Sequence, residues 1–429
     1  MSEKQRLIAL VDANCFFVSA HLVFRPDLWN KPVGVLSSND GCVIARNQAL
    51  KSLGVKMGAP LFEISGLVKR HNVHLFSSTF PLYADMSARV MATLEEFTTC
   101  LDVYSIDEAF LDLTGVCEGD PIAYGKQIKR TVFRNTGIPT CVGMGPTKTL
   151  AKLANFAAKK WSRTDGVVDL SDPVRREKLM KIVSVNEVWG IGSRTTARLE
   201  LLGIKTAWDL ASQPVEYIQA QFNVVIARTI QELNGIACLE LEEVAPDKQQ
   251  IVCSRSFGQR LTEYSELSEA LSEFCTRAAE KLRRQQSVTS CITVFIRTNP
   301  FSQQEPQYQR SATLRLSAAT QDTRTIIATA KRLLKEIFRV GYGYRKCGVQ
   351  LSQIEPHNMV GQGDLFDFAD DQVRKENRLL METLDRINHR YPKSISVAAT
   401  GVNKAWKPKA EWVSPAYTTN WEELVTVQC

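Results

Sequence analysis

The 429-residue chain is 44% hydrophobic and 23% charged with a net charge of +7, an ordinary folded-protein balance that excludes a fibrous or disordered chain and suggests roughly three or four domains. No run of eighteen apolar residues occurs, which excludes a membrane span, and Asp12 interrupts the N-terminal apolar stretch, which argues against a signal peptide. The 11 cysteines include no Cys-x-x-Cys pair, so they fit neither a disulfide framework nor a zinc site and read as small buried hydrophobes in a reducing cytoplasm.

Residues 6–11 read as a buried strand ending at Asp12. A carboxylate there could be held as a metal ligand or could cap the following helix. Residues 33–36 form a strand, Asn39-Asp40-Gly41 a turn, and 42–54 a strand passing into a short helix stopped by Gly54. Arg46 and Lys51 lie five residues apart; they serve either phosphate binding or a solvated basic surface. Helical spacing follows over 86–97 and 122–136, then a core strand over 140–145. Thr147 is a fitting N-cap for a helix through Lys160, with Lys148, Lys152 and Lys159 on one basic stripe.

Between these elements lies the stretch 104–113, where Asp107 and Glu108 sit side by side in a β-prone, apolar segment. Adjacent buried acids are costly unless something positive compensates them. Strand neighbours point to opposite faces, so both can reach one ion only at a turn or strand end. A hairpin tip therefore fits better than a strand interior; a solvated turn is the alternative. With Asp12, three carboxylates from two segments would suit Mg²⁺. No Gly-x-x-x-x-Gly-Lys-Ser/Thr motif is present, which excludes a P-loop enzyme. The element order predicts an α+β sheet with helices on one side.

Residues 184–212 carry two glycine turns that each lead into a helix, one at Gly190-Ile191-Gly192 and one at Leu202-Gly203-Ile204. A helix-hairpin-helix binds DNA in this way, its glycines letting backbone N–H groups approach phosphates; a plain helix turn is the alternative. Residues 236–250 read as a polar linker. Residues 251–354 hold two strand-rich stretches (291–298 and 311–316) and two helices (about 265–285 and 322–340). They carry 16 Lys and Arg against 8 Asp and Glu, a concentration of positive charge expected of a DNA-gripping module. Beyond residue 355 periodicity fades. Leu365-Phe366 among Gly and Asp suits a partner pocket, with a local packing anchor as the alternative, and Trp406, Trp412, Tyr417 and Trp421 make an aromatic tail expected to dock.

Six stretches together resemble the Y-family translesion DNA polymerases, and within them the UmuC type. They are residues 12–17, 39–47, 104–110, 148–152, 189–192 and 253–258, and the resemblance runs nearly end to end. It implies an α+β right-hand polymerase: palm 1–23 and 83–175, fingers 24–82, helix-hairpin-helix thumb 176–243, linker 244–250, little finger 251–354 and a tail 355–429. It implies error-prone nucleotidyl transfer in the SOS response to DNA damage. Two Mg²⁺ ions would be held by Asp12, Asp107, Glu108 and the main chain of Ala13. Phe16, Phe17, Arg46, Lys51 and Lys159 would surround the dNTP, with Lys51 standing where the family carries Arg. Phe17 stands where the family's sugar-selecting residue is usually Tyr, and its ring would still exclude a ribose. Gly190, Gly192 and Arg255 would touch primer–template DNA. Gln362, Leu365 and Phe366 resemble a sliding-clamp peptide, with Gly363 replacing the more usual Leu. The resemblance further implies a processed UmuD dimer and RecA as partners. A stand-alone polymerase of the DNA polymerase IV type and a non-catalytic DNA-binding factor are the alternatives.

Overall fold

The computed structural model describes residues 6–242, 246–357, 371–392, 394–401 and 406–426. Strand β1 (Ile8–Ala13) is buried along its whole length. Its near-continuous apolar run is what a strand covered on both faces requires. Helix α1 (Phe16–Phe24) follows through Cys15, which is left-handed at φ 49. The fingers are a small sheet of β2 (Val33–Leu36), β3 (Val43–Arg46) and β4 (His74–Ser77) in the order β3-β2-β4, with α2 (Gln48–Ser52) and α3 (Leu61–Arg70).

The chain then returns to the palm through α4 (Phe80–Glu95), β5 (Leu101–Val103), β6 (Glu108–Asp112), α5 (Pro121–Thr136), β7 (Thr140–Gly145), α6 (Lys148–Lys160) and β8 (Val167–Asp169). The palm sheet runs β5-β6-β1-β7-β8. Its helices cover both faces, not one as the element order predicts. Ala9, Val11, Val142 and Met144 pack with Met86 of α4 and Ile128 of α5. The alternate residues Ile8, Leu10 and Phe110 pack with Ala151 of α6. Helix α6 lies directly on the sheet at Gly143, where a Cβ would sit 2.1 Å from the Asn155 nitrogen.

Five short helices fill the stretch expected to form the thumb: α7 (Pro173–Ile182), α8 (Ser193–Leu201), α9 (Ala207–Ala211), α10 (Val215–Gln221) and α11 (Val224–Leu233). Side chains of Asp172, Thr206 and Asn223 cap α7, α9 and α11. The fully buried Glu232 of α11 accepts from the backbone N–H groups of Thr149, Cys238 and Leu239 at 3.0, 2.6 and 3.2 Å. The Glu242 N–H donates to the Asp102 carboxylate at 3.2 Å. Residues 236–242 are therefore pinned and are not a free linker; the fixing bonds come from backbone, which the sequence does not show.

Two compact units form, residues 1–245 with 411–429 and residues 246–410. The second unit contains β9 (Ile251–Leu261), α12 (Tyr264–Arg284), β10 (Ser287–Arg297), β11 (Gln309–Thr320), α13 (Thr323–Ile337) and β12 (Tyr344–Pro356). Its antiparallel sheet runs β11-β10-β12-β9. Ile292, Val294 and Ile296 pack with Phe274 of α12 and Leu334 of α13. β9 and β12 are strands that sequence periodicity does not single out, because polar and basic residues fill their outward positions.

Residues 371–390 form a further helix, α14 (Asp371–Arg390), although periodicity fades there. Its polar surface gives little apolar signal. It docks by charge: Asp385 takes a bidentate pair from Arg283 at 2.6 and 2.7 Å. Trp406 is buried against Phe274 in the same unit. Residues 411–426 belong to the first unit. The Trp412 carbonyl accepts from the Ser77 N–H at 2.8 Å, the Glu411 N–H donates to Asp40 at 2.7 Å, and Tyr417 stacks on Phe24 at 4.7 Å. The aromatic tail thus docks as expected, except that Trp421 stands 89% exposed.

Candidate active site

Asp12 lies inside β1 and not at its end. Antiparallel pairing of β1 with β6 sets Asp12 opposite Glu108. The turn between β5 and β6 carries Asp107, whose carbonyl accepts from the Ala13 N–H at 2.8 Å. Glu108 is the first residue of its strand, the strand-end placement that two adjacent acids need. Ser105 Oγ donates to Asp107 Oδ1 at 2.6 Å, which turns that carboxylate back onto its own loop.

Helix α6 supplies the compensating charge. Thr147 caps it, accepting from the Leu150 N–H at 3.2 Å. Three of its lysines then meet three palm acids. Lys148 Nζ lies 2.6 Å from Asp102, with both side chains only 9% exposed. Lys152 Nζ lies 2.9 Å from Glu108. Lys159 forms an ion pair with Asp12. Burial, and then the hydrogen bond it shares with Glu108, pushes the Asp12 carboxyl up to about 8 against the pull of Lys159. Burial also acts to raise Glu108, but hydrogen bonds from Asp12 and Lys152 outweigh it and hold Glu108 below its ordinary value. Set face to face, the two acids influence each other's ionisation.

Donor chemistry at this point is all oxygen: two adjoining carboxylates, a third on the neighbouring turn, and main-chain carbonyls. That set fits a hard divalent cation. Among the described residues no group of three or more His, Cys, Asp or Glu is already drawn together around a common point. Ser105 holds Asp107 on its own loop, and lysines sit on Asp12 and Glu108.

Phe17 stacks on Tyr83 of α4 at 4.4 Å with 24° between the rings. Phe16, by contrast, is buried in the core with 3% of its surface exposed. Lys51 reaches from α2 to within 3.4 Å of Cys15 Sγ, next to the phenylalanine pair. Arg46 donates to the Val55 carbonyl at 2.5 Å, within the fingers. In the thumb, Gly190 takes φ +87 and Gly192 is the N-cap of α8. Arg255 is exposed on β9. In the same unit Phe295, Arg297, Arg310 and Lys346 line one polar groove of the sheet. Gln362, Leu365 and Phe366 lie outside the described residues.

Sequence reasoning missed the second halves of these pairs. Asp102 alternates with apolar Leu101 and Val103 in β5, a signal for one buried acid in need of a cation. Lys148 and Lys152 lie one turn apart on α6, and the face they share is turned to the palm acids and not to solvent.

Residues 11–155 match the impB/mucB/samB family, 248–365 match that family's C-terminal domain, and 378–427 match a domain of unknown function. The chain is 48% identical over 426 residues to Protein UmuC of Salmonella typhimurium, covering 98% of this chain and 100% of that protein. Protein ImpB of the same organism is 44% identical, covering 97% and 99%. DNA polymerase IV of Moorella thermoacetica is 31% identical, covering 92% and 96%. Among solved structures, a Y-family DNA polymerase chimera of Dbh and Dpo4 aligns with a TM-score of 0.65 at 23% identity, covering 81% of this chain and 99% of that one. An insertion ternary complex of Dbh DNA polymerase aligns at 0.53 with 22% identity, covering 81% and 98%. With β1, β6 and α6 gathering its acids and lysines in one palm, the chain belongs to the impB/mucB/samB family, the UmuC type of Y-family DNA polymerase.

Proposed function

We propose that this chain is the catalytic subunit of an error-prone translesion DNA polymerase, extending primers with dNTPs across damaged template in the SOS response. The observation that carries the reading is the Asp12–Glu108 pair, set side by side by β1 and β6 and neutralised by lysines of α6. Asp12, Asp107, Glu108 and the Ala13 carbonyl are the groups that would hold divalent cations, two Mg²⁺ in this reading. Bound there, the cations would activate the primer hydroxyl and neutralise the charge on the departing pyrophosphate.

The chain's own residues do the rest. Release of Ser105 would let Asp107 swing toward Asp12. Lys159, freed from Asp12, would face the triphosphate as a point charge, as would Lys51 from the fingers. Phe17, backed by Tyr83, would present its ring where a ribose 2′-hydroxyl would otherwise fit. Gly190 and Gly192 would bring thumb N–H groups to DNA phosphates, and Arg255 with the basic groove of β10–β12 would hold the duplex. Charge stabilisation and positioning dominate such a site, so loss of one carboxylate should cost orders of magnitude in rate. A processed UmuD dimer, RecA and a sliding clamp engaging Gln362, Leu365 and Phe366 complete the proposal.

Primer extension across a template abasic site tests it, with wild type compared with Asp107→Ala, each with and without processed UmuD and RecA. Extension that disappears in the variant supports the polymerase assignment, and dependence on the added proteins supports the multi-subunit form. Extension without them would favour a stand-alone enzyme of the DNA polymerase IV type. Intact DNA binding with no extension under any combination would leave a non-catalytic DNA-binding factor.

A further inference from the structure

Lys152 has two kinds of partner at once. Its ammonium lies 2.9 Å from Glu108 Oε2, 4.2 Å from the centre of the Tyr104 ring and 5.2 Å from that of Trp189. The two rings meet edge to face at 5.6 Å and 88°, and Trp189 Nε1 donates to Tyr104 Oη at 3.3 Å. Phe110 of β6 closes the group at 5.8 Å from Tyr104 and 5.9 Å from Trp189. An ammonium is attracted both by a carboxylate and by ring faces, so this one has two nearby resting places.

The three aromatic walls come from different parts of the fold. Tyr104 and Phe110 flank the turn and strand of Asp107 and Glu108. Trp189 comes from the thumb, one residue before the left-handed Gly190 that opens the glycine turn into α8. A divalent cation on Glu108 would repel Lys152, and the displaced ammonium would need somewhere to go. We infer that Lys152 is a positioning residue whose ammonium is shared between Glu108 and the Tyr104–Trp189 pair, so that the thumb turn sets how readily Glu108 is given up to a divalent cation. The inference rests on the polymerase reading of the site and adds to it a link from thumb to carboxylate.

The test is a double-mutant cycle read by calorimetric titration of the full chain with Mn²⁺, without nucleotide, alongside primer extension by wild type. Removing a ring wall leaves the ammonium on Glu108. Trp189→Ala should therefore weaken Mn²⁺ binding by roughly three- to tenfold, the scale of a partly desolvated cation–π contact. Trp189→Phe keeps a ring and should stay within about twofold of wild type. Lys152→Gln removes the competitor; Mn²⁺ should bind more tightly, and Trp189→Ala added to it should change nothing further.

Trp189→Leu fills the same space without a π face and replaces Trp189→Ala in the cycle if the alanine variant does not fold. Equal losses from Trp189→Ala in both backgrounds, or no loss in either, would overturn the inference while leaving an extending wild type as a polymerase. A wild type that neither binds Mn²⁺ nor extends a primer would remove the polymerase reading itself, and the inference with it.

Discussion

His21 shares Tyr83 with Phe17, the proposed sugar-selecting residue, and its ionisation is a measurable consequence of the fold. It is fully buried on α1, its ring stacks on Phe76 at 4.2 Å, and its Nε2 lies 2.9 Å from Tyr83 Oη. Its Nδ1 has no hydrogen-bond partner. Burial lowers the imidazole from 6.5 to about 4. Above pH 6.5 His21 is neutral in both folded and unfolded chains and costs nothing. Between 6.5 and 4 the unfolded chain takes up a proton that the folded one refuses, so stability falls as pH falls. A depression of that size amounts to about 3 kcal/mol in all, fully lost below pH 4. The chain has only 5 histidines, so imidazole NMR between pH 4 and 8 can follow each, with His21→Gln marking the signal. Unfolding of wild type and His21→Phe over the same range gives the energy. The variant leaves the Tyr83 hydroxyl short of a partner, a pH-independent offset, so the slope and not the level is diagnostic. An imidazole titrating near 6.5, or a wild-type-to-variant gap that stays constant from pH 6.5 to 4.5, would refute the reasoning.

Four other outcomes are expected. Phe17→Ala should raise ribonucleotide incorporation in single-turnover extension; unchanged sugar discrimination would move the selecting role elsewhere. Gly143→Ala should force α6 off the sheet, because a Cβ there meets the Asn155 nitrogen at 2.1 Å; a loss of about 2 kcal/mol or more is the scale of such overpacking, read as a fall in Tm. Asp102→Asn should strand Lys148 with its charge buried and lower stability by about 3–5 kcal/mol, whereas Asp102→Asn with Lys148→Met should recover most of it in a urea unfolding series. Because Asp12 is raised to about 8, its proton favours the folded chain as pH falls and must leave when a cation binds; Mn²⁺ affinity should climb with pH toward about 8 and then level, and calorimetry in two buffers should show a released proton below that point.

How much of this was legible in the sequence depends on where each signal resides. Asp12 and the Asp107-Glu108 pair were readable because acids inside apolar runs have few structural excuses, and the strand-end rule placed Glu108 at the start of β6. The partners of those acids were not. Lys152 and Lys159 look like a solvated stripe until α6 is laid across Gly143, a contact made by sequence-distant backbone. The two covered faces of the palm follow from consecutive burial at Ile8, Ala9, Leu10 and Val11; the apolar run held that information, but element order alone did not. Strands β9 and β12 were illegible because polar and basic residues fill their outward positions, although Ile251, Phe257, Val349 and Leu351 sit in the core; helix α14 was illegible because a distant charge, Arg283 on Asp385, helps to fix it.

The lysines also explain how such a palm can fold before any cation reaches it. Four carboxylates gathered in one palm, two of them buried, would oppose folding through their mutual repulsion and desolvation. In this palm the opposition is met in three different ways. Asp102 and Lys148 neutralise each other permanently, both shielded from water, with the Glu242 N–H adding a further bond. Asp12 and Glu108 face each other and lean on Lys159 and Lys152, whose side chains are more exposed at 40% and 16% and so freer to leave. Asp107 satisfies itself on Ser105. The arrangement separates a buried ion pair, which holds α6 to the sheet, from more exposed ones on the carboxylates proposed to take the cations, where a greater charge could displace the lysines. A site that relied on Lys148-like burial for all four acids would be more rigid and could not open. One without lysines could bind a cation readily but would begin each cycle as an unstable fold.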